Sequence, residues 1–494
     1  MDAKSLLDNC TGGREIVIPN GIYKDYGINI SKKATAEEPI IFRAESPGGV
    51  ILTGNSKIIV EGEFIYIDGF VFTEGWGQAI HFRSSSKNCR LTRIAILYYN
   101  PPSHREDTRW VTISGRNHII DQNYFRGKNN LGMMLEVWRE HDVDQKHIIS
   151  RNYFGHFAQG DSNGFETVRI GLSGNSLTGR SDCIMEYNYF HRTDGENEII
   201  SNKSNNNIYR YNTFYDCTGS LTLRHGNENL VTGNIFVGGR DTRDPTGVRI
   251  IGERNEVTNN YFANSPTHSQ PMQINNGVVD APLNSFHAAK GSVVRNNTFY
   301  NAVREFVTIG QGYNDGKRPV RLSGVFDNNL LVAPDSDIST TENLGEVITH
   351  DSTYLGESSA DQHRNFFIID DPNHEMTFAG NVAFGRPAGF DASPKEIATM
   401  DPQMVKLNLP VRQVEGRAAY KSPFDIYAPS NANVTAGFTS DVNEIKAPLT
   451  PMEIVPDWVY DRMCSGDPRF TFDPDIKTPA YERTSPPPKA EPNA

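Results

Sequence analysis

One short phrase recurs through the middle of the chain, and it limits the possible folds more than any other feature. It reads HIIDQNYF ending at Phe125, HIISRNYF at Phe154, CIMEYNYF at Phe190 and NIYRYNTF at Phe214. It continues as NLVTGNIF to Phe236, NEVTNNYF to Phe262 and SVVRNNTF to Phe299, with weaker forms near Asn329 and Asn381. The recurring asparagines are Asn123, Asn152, Asn188, Asn212, Asn234, Asn260, Asn297 and Asn329, spaced by roughly 22 to 37 residues, a period typical of repeat architectures. Each unit is a β-branched or aromatic run closed by Asn and followed by a polar stretch, which reads as strand, turn, strand. Long amphipathic helical windows are almost absent.

A rung of this size with short strands predicts an all-β, single-domain parallel β-helix, each coil adding about 4.8 Å along the axis. Aromatic side chains would stack inside, and asparagines would hydrogen-bond from coil to coil while tolerating a left-handed bend between faces. A propeller is the rival, but its blades need longer units with regular antiparallel strands. The stretches PIIFRAE, GVILTG, KIIVEGEFIYIDGFVFTEG and CRLTRIAI extend the same plan towards the N-terminus. Residues 1–385 are therefore expected to form the β-helix, with Met1–Leu7 as a short capping helix over its open end. Residues 386–494, rich in proline, are expected to pack along the helix or cap its far end, with the final TSPPPKAEPNA disordered.

Composition removes several classes of function. The chain has 494 residues, 37% of them hydrophobic, and a formal charge of −12, so a general nucleic-acid binder is not expected. No apolar run is long enough to span a membrane. The five cysteines, Cys10, Cys89, Cys183, Cys217 and Cys464, form no CxxC pair, which disfavours zinc-ribbon and thioredoxin-type chemistry. Cys183 and Cys217 read as small buried residues. The opening MDAKSLLDNC has neither the basic nor the apolar region of a signal peptide.

Charges interrupt the repeat at similar offsets on consecutive coils: Glu166, then Glu196, Glu198 and Lys203, then Arg224, then Arg249. A solenoid displays such residues on one wall, acid on the earlier coils and base on the later ones. Glu196 and Glu198 stand at i and i+2, on one face of a strand, where two like charges repel unless a cation sits between them. With Asn163 and Glu166 from the preceding coil they would make an oxygen cluster suited to Ca²⁺; the alternative is a solvated acidic patch balanced by lysines. Lys203 and Arg224 lie about one coil apart, and a lysine beside other cations can serve as a base. Strict alternation puts Lys203 on the opposite face from Glu198, so a bend must intervene.

At these residues the chain resembles the alginate lyase and chondroitinase-B family of polysaccharide lyases. The stretches are NGFETVRIG from Asn163, DGENEIISNKS from Asp194, LTLRHGN from Leu221 and GVRIIG from Gly247, together with IVIPNGIYKD from Ile16 and PIIFRAESPGGVILTG from Pro39. The resemblance spans roughly residues 3 to 385. It implies a right-handed parallel β-helix that cleaves uronate polysaccharides by β-elimination, with Lys203 as base and Arg224 as acid. It implies Ca²⁺ held by Glu196, Glu198 and a member of the NGFE segment, Asn163 or Glu166, with His225, Arg249 and Tyr313 contacting sugar. The N-terminus fits either a cytoplasmic protein or one whose signal has been removed, and a periplasmic or extracellular enzyme is the expectation. Alginate is the expected substrate, because a sulfated polymer such as dermatan sulfate would call for further basic residues after Arg249. Other classes remain: a β-helix glycoside hydrolase using Asp194 with Glu196, and a non-catalytic carbohydrate-binding solenoid.

Overall fold

The computed structural model describes residues 13–139, 144–174, 179–239, 246–265, 270–302, 304–334 and 365–472. It is a right-handed parallel β-helix. Successive short strands are dealt in turn to three long sheets of 13, 14 and 12 strands. Every pairing within these sheets is parallel, from the register Glu15↔Ile41 in the first sheet to Asn381↔Ile397 in the second. The second sheet thus runs on to Thr399, beyond the point at which the repeat fades in the sequence. The expected capping helix and the final TSPPPKAEPNA lie outside the described residues, as does Cys10.

The repeated phrase builds the interior. The ladder asparagines from Asn123 to Asn381 are fully buried. Asn123 accepts at Oδ1 from Ile94 N–H, and each later one accepts from both the backbone N–H and the Nδ2 of its predecessor; Asn212, for example, receives both from Asn188 at 3.0 and 2.9 Å. Two residues on, Phe125, Phe154, Phe190, Phe214, Phe236, Phe262 and Phe299 form a column with ring centroids 4.6 to 5.3 Å apart, close to the strand spacing. The left-handed bend falls elsewhere than expected. It belongs to the residue before each ladder asparagine, such as Gln122, Arg151, Tyr187, Tyr211 and Asn259, all with φ between 54° and 56°. The asparagine itself must aim inward to stack, so its neighbour turns the corner.

A second ladder runs at another corner, where Cys183, Asn207 and Asn229 donate their backbone N–H to Asn207, Asn229 and Asn255. On earlier coils histidines do this work: Cys89 N–H donates to His118 Nδ1 and His118 N–H to His147 Nδ1, both at 3.1 Å. Burial holds the His118 side chain neutral, pushing its pKa down to about 3. Cys89, Cys183 and Cys217 are free and buried, and Cys464 is free and exposed.

Residues 400–472 run back along the outer face of the second sheet. Val434 and Ala436 pack on Leu330 and Val332; Phe424, Ile426 and Phe438 on Ile235 and Tyr261; Ile454, Val455 and Val459 on Tyr124 and Tyr153. The tail therefore covers one apolar wall and leaves the third sheet's outer face open.

Candidate active site

The third sheet carries the charged wall. Its relevant strands are β1 (Leu135–Val137), β2 (Val168–Gly171), β3 (Glu198–Lys203), β4 (Ser220–His225), β5 (Gly247–Ile250) and β6 (Met272–Asn275). Spacing along the asparagine ladder shows how the wall is shaped. The coils from Asn188 to Asn212, Asn234 and Asn260 are short, at 24, 22 and 26 residues. The flanking coils have 36 and 37 residues, and their extra length forms the loops before β2 and after β6. Short coils make the floor of a groove and long ones its ends.

The bend required between Glu198 and Lys203 is a β-bulge. Glu198 pairs with Ser220 but Ile200 with Leu221, so Ile199 is an extra residue, and its side chain turns into the core beside that of Ile200. Parity is reset, and Glu198, Ser201 and Lys203 all face outward. A second shift at Arg224 puts Lys203 opposite His225. The doubled isoleucine in ENEIISNK is the local cause.

Glu166, Glu196 and Glu198 are 1%, 8% and 7% exposed, and one oxygen of each lies within 4.8 Å of the others. Glu198 is the best compensated. It accepts from the Ser201 hydroxyl and lies 3.9 Å from Arg224 Nε and 4.0 Å from Arg249 Nη1. Glu166 has Lys203 Nζ at 3.6 Å. Glu196 has only backbone: its Oε2 accepts from Gly164 N–H at 2.8 Å and Phe165 N–H at 3.3 Å. Gly164 holds φ +106°, which L side chains rarely adopt, and so presents this N–H. Glu166 Oε2 and Glu196 Oε1 are buried with no hydrogen-bond partner. Burial, then Glu166 and Glu198, push Glu196 up to about 8. Three buried carboxylates with two orphaned oxygens fit a hard divalent cation, and these three glutamates could hold one. Glu166 lies in the carboxylate cluster, and Asn163 is exposed one residue before Gly164, on the same segment.

Beside the acids stands a basic group. Arg224, Arg249 and Arg318 all approach the ring of Phe286, at 4.3, 5.6 and 3.6 Å from its centroid. Burial, and then Arg249 as a like charge, lower the pKa of Arg224 from its ordinary value. His225 is buried, and Arg224 Nη1 lies 2.8 Å from its Nε2. Since a guanidinium only donates, Nε2 is the acceptor and the ring proton sits on Nδ1. Burial, Arg224 and Lys203 push His225 down to about 3, so it is neutral. Its contact is with Arg224 rather than with an open surface. Tyr313 is half-buried in the turn after the strand Val307–Gln311; no hydrogen bond, ion pair or ring contact among the described residues joins its side chain to this group.

Sequence reasoning missed Ser201, Phe286 and Arg318. Arg318 is one basic residue beyond Arg249 that joins this group. The signal for Phe286 was the long Asn260–Asn297 spacing, which marks an inserted loop.

Comparison with known proteins agrees with this picture. The family model for chondroitinase B matches residues 2–339. The solved structure of the PL6 family alginate lyase AlyGC is 27% identical with a TM-score of 0.77, covering 92% of this chain and 57% of that one. A mannuronic acid specific PL6 lyase from human gut microbiota is also 27% identical, with a TM-score of 0.64, covering 78% of this chain and 83% of that one. A PL6 alginate lyase in complex with trisaccharide shares the fold at 22% identity and a TM-score of 0.67, covering 92% of this chain and 91% of that one. The present chain thus spans little more than half the length of AlyGC. No curated protein matches. The chain belongs to the chondroitinase B family of parallel β-helix polysaccharide lyases. Among the described residues no helix is long and apolar enough to cross a membrane.

Proposed function

We propose that the protein is a Ca²⁺-dependent lyase that cleaves alginate by β-elimination, acting in the periplasm or outside the cell. The observation that carries this reading is the contact between two opposed groups: three buried glutamates with orphaned oxygens on one side, and Lys203, Arg224 and Arg249 on the other. Glu196 and Glu198 would hold the cation together with Glu166 or Asn163 from the preceding loop. When bound, such an ion neutralises the uronate carboxylate and makes the neighbouring C5 proton more acidic.

Lys203 accepts the C5 proton. The C5–H and C4–O4 bonds break and a C4=C5 double bond forms, leaving negative charge on the departing O4. Arg224 stabilises that charge by charge-assisted hydrogen bonds, since a guanidinium is a poor literal acid. The neutral His225 fixes the Arg224 guanidinium by accepting its N–H, so water supplies the proton to O4. Arg249 and Arg318 attract sugar carboxylates, and Tyr313 lies farther along the same wall.

Alginate is favoured by the likeness to the alginate lyase AlyGC and to the mannuronic acid specific lyase. Dermatan sulfate is the second reading, favoured by the chondroitinase B family model and by the extra cation Arg318. Mass analysis of products from defined mannuronate and guluronate blocks and from dermatan sulfate tests both. Unsaturated oligouronates from alginate alone are expected; unsaturated disaccharides from dermatan sulfate alone would replace the first reading with the second. Saturated products from either would remove both.

A further inference from the structure

On the same face, towards the N-terminus, lies a cavity of about 320 Å³ lined by residues that include His81, Arg83, Arg109, Glu136 and Trp138. It lies on the same sheet as the candidate active site. The outward row of the third sheet runs in register from Thr112 through Glu136 and Arg169 to Ser201. The lining spans the coils of His81, Thr112 and Glu136, so the cavity is centred three coils from Ser201, roughly 14 Å at the usual strand spacing.

Its floor is a built charge arrangement. Glu136 is fully buried and held between two guanidiniums: Arg169 Nε donates to its Oε1 at 2.9 Å, and Arg109 Nε lies 2.9 Å from Oε2. Arg109 Nη2 also pairs with Asp107 at 3.1 Å, so the two arginines are balanced by two carboxylates and the exposed Arg83 supplies the positive charge of the cavity. Burial, then Arg83, push His81 down to about 4, so it adds no charge at neutral pH and offers neutral imidazole hydrogen bonding. Trp138, at the end of β1, is 40% exposed beside these cations. An exposed indole among cations, in a concave site on the line of the groove, suits a ring with apolar C–H faces and an anionic substituent.

We propose that this cavity is a distal subsite for a uronate residue of the same polymer, two or more sugars from the bond that is cut, with Trp138 as stacking platform and Arg83 as carboxylate partner. The inference rests on the polyuronate reading above. Its role is to hold long chains, so it acts on affinity for polymers and leaves short oligomers unaffected. The test is a binding titration of oligouronates from three to eight sugars against Lys203→Ala protein, with and without Trp138→Ala, followed by calorimetry. Affinity is expected to rise with length until the chain reaches the cavity. Trp138→Ala should remove that increment, about tenfold for the octamer, and leave the trimer unchanged. Arg83→Glu, at an exposed position, should do the same and guards against misfolding of the tryptophan variant. Equal affinity of both variants and the parent at every length, or an equal loss at every length, would overturn the proposal. Failure of the wild-type protein to cleave any uronate would instead count against the lyase reading, because these binding curves do not depend on turnover.

Discussion

The asparagine ladder and the glutamate cluster are both buried and polar, yet one is complete and the other is not. Asn212 accepts from Asn188 N–H and Nδ2 and donates to Met185 O and Asn234 Oδ1, so its side chain is fully used. Glu166 and Glu196 each keep a buried oxygen without a partner. Burying polar groups costs little when every bond is made and much when one is left open. The ladder is thus explained by the fold alone, whereas the cluster needs something the fold does not provide. A solenoid separates the two tasks cleanly, with stability inside the coil and chemistry on one outer face.

The largest break should come from removing the base. Lys203→Ala is expected to lower turnover by a factor on the order of a thousand, with the circular dichroism spectrum unchanged and a lower melting temperature in chelator, where Glu166 loses its cation partner. Glu196→Gln comes next. It should weaken Ca²⁺ binding and cut activity by about a hundredfold, while raising the melting temperature in chelator because a neutral amide avoids the cost of burying this carboxyl beside two others. Asn212→Ala should do the reverse, costing about 2–4 kcal/mol in chemical denaturation by leaving several buried groups unpaired, with activity per folded molecule retained.

A gentler test uses pH. The folded-state pKa of Glu196 is raised to about 8, so without cation the folded protein holds this proton where the unfolded chain has lost it. Its contribution is fully present below the ordinary carboxylate range and is lost as pH rises through about 8. The melting-temperature gain from added Ca²⁺ should therefore be larger at pH 8.5 than at pH 5.5 (both values chosen to bracket about 5 to 8). The smallest effect should be that of Phe286→Leu, which loosens the three arginines and raises KM a few-fold in steady-state assays.

Much of this contrast was legible in the sequence because the ladder repeats on every coil. Nine phrases in one register fix the inward positions, and a charge that breaks a repeat is easy to see. Glu166, Glu196, Glu198, Lys203, Arg224 and Arg249 could thus be set on one wall by offset alone. What could not be read were single-residue departures from the repeat. The bulge at Ile199 is one extra inward isoleucine, which strand alternation cannot distinguish from a shift of face. The left-handed corner falls on whatever residue precedes the asparagine, and arginine, tyrosine and glutamine all occupy it, so composition conceals it. Phe286 and Arg318 come from loops whose length varies between coils, and their meeting is set by tertiary packing.

The most direct test of the central claim is the ultraviolet absorbance of an alginate digest, followed continuously while the cation is removed and returned. The account predicts a rising signal from the conjugated double bond, arrest on adding chelator, and recovery when Ca²⁺ is restored in excess. An undiminished rate in chelator, or new reducing ends without any absorbance, would contradict it.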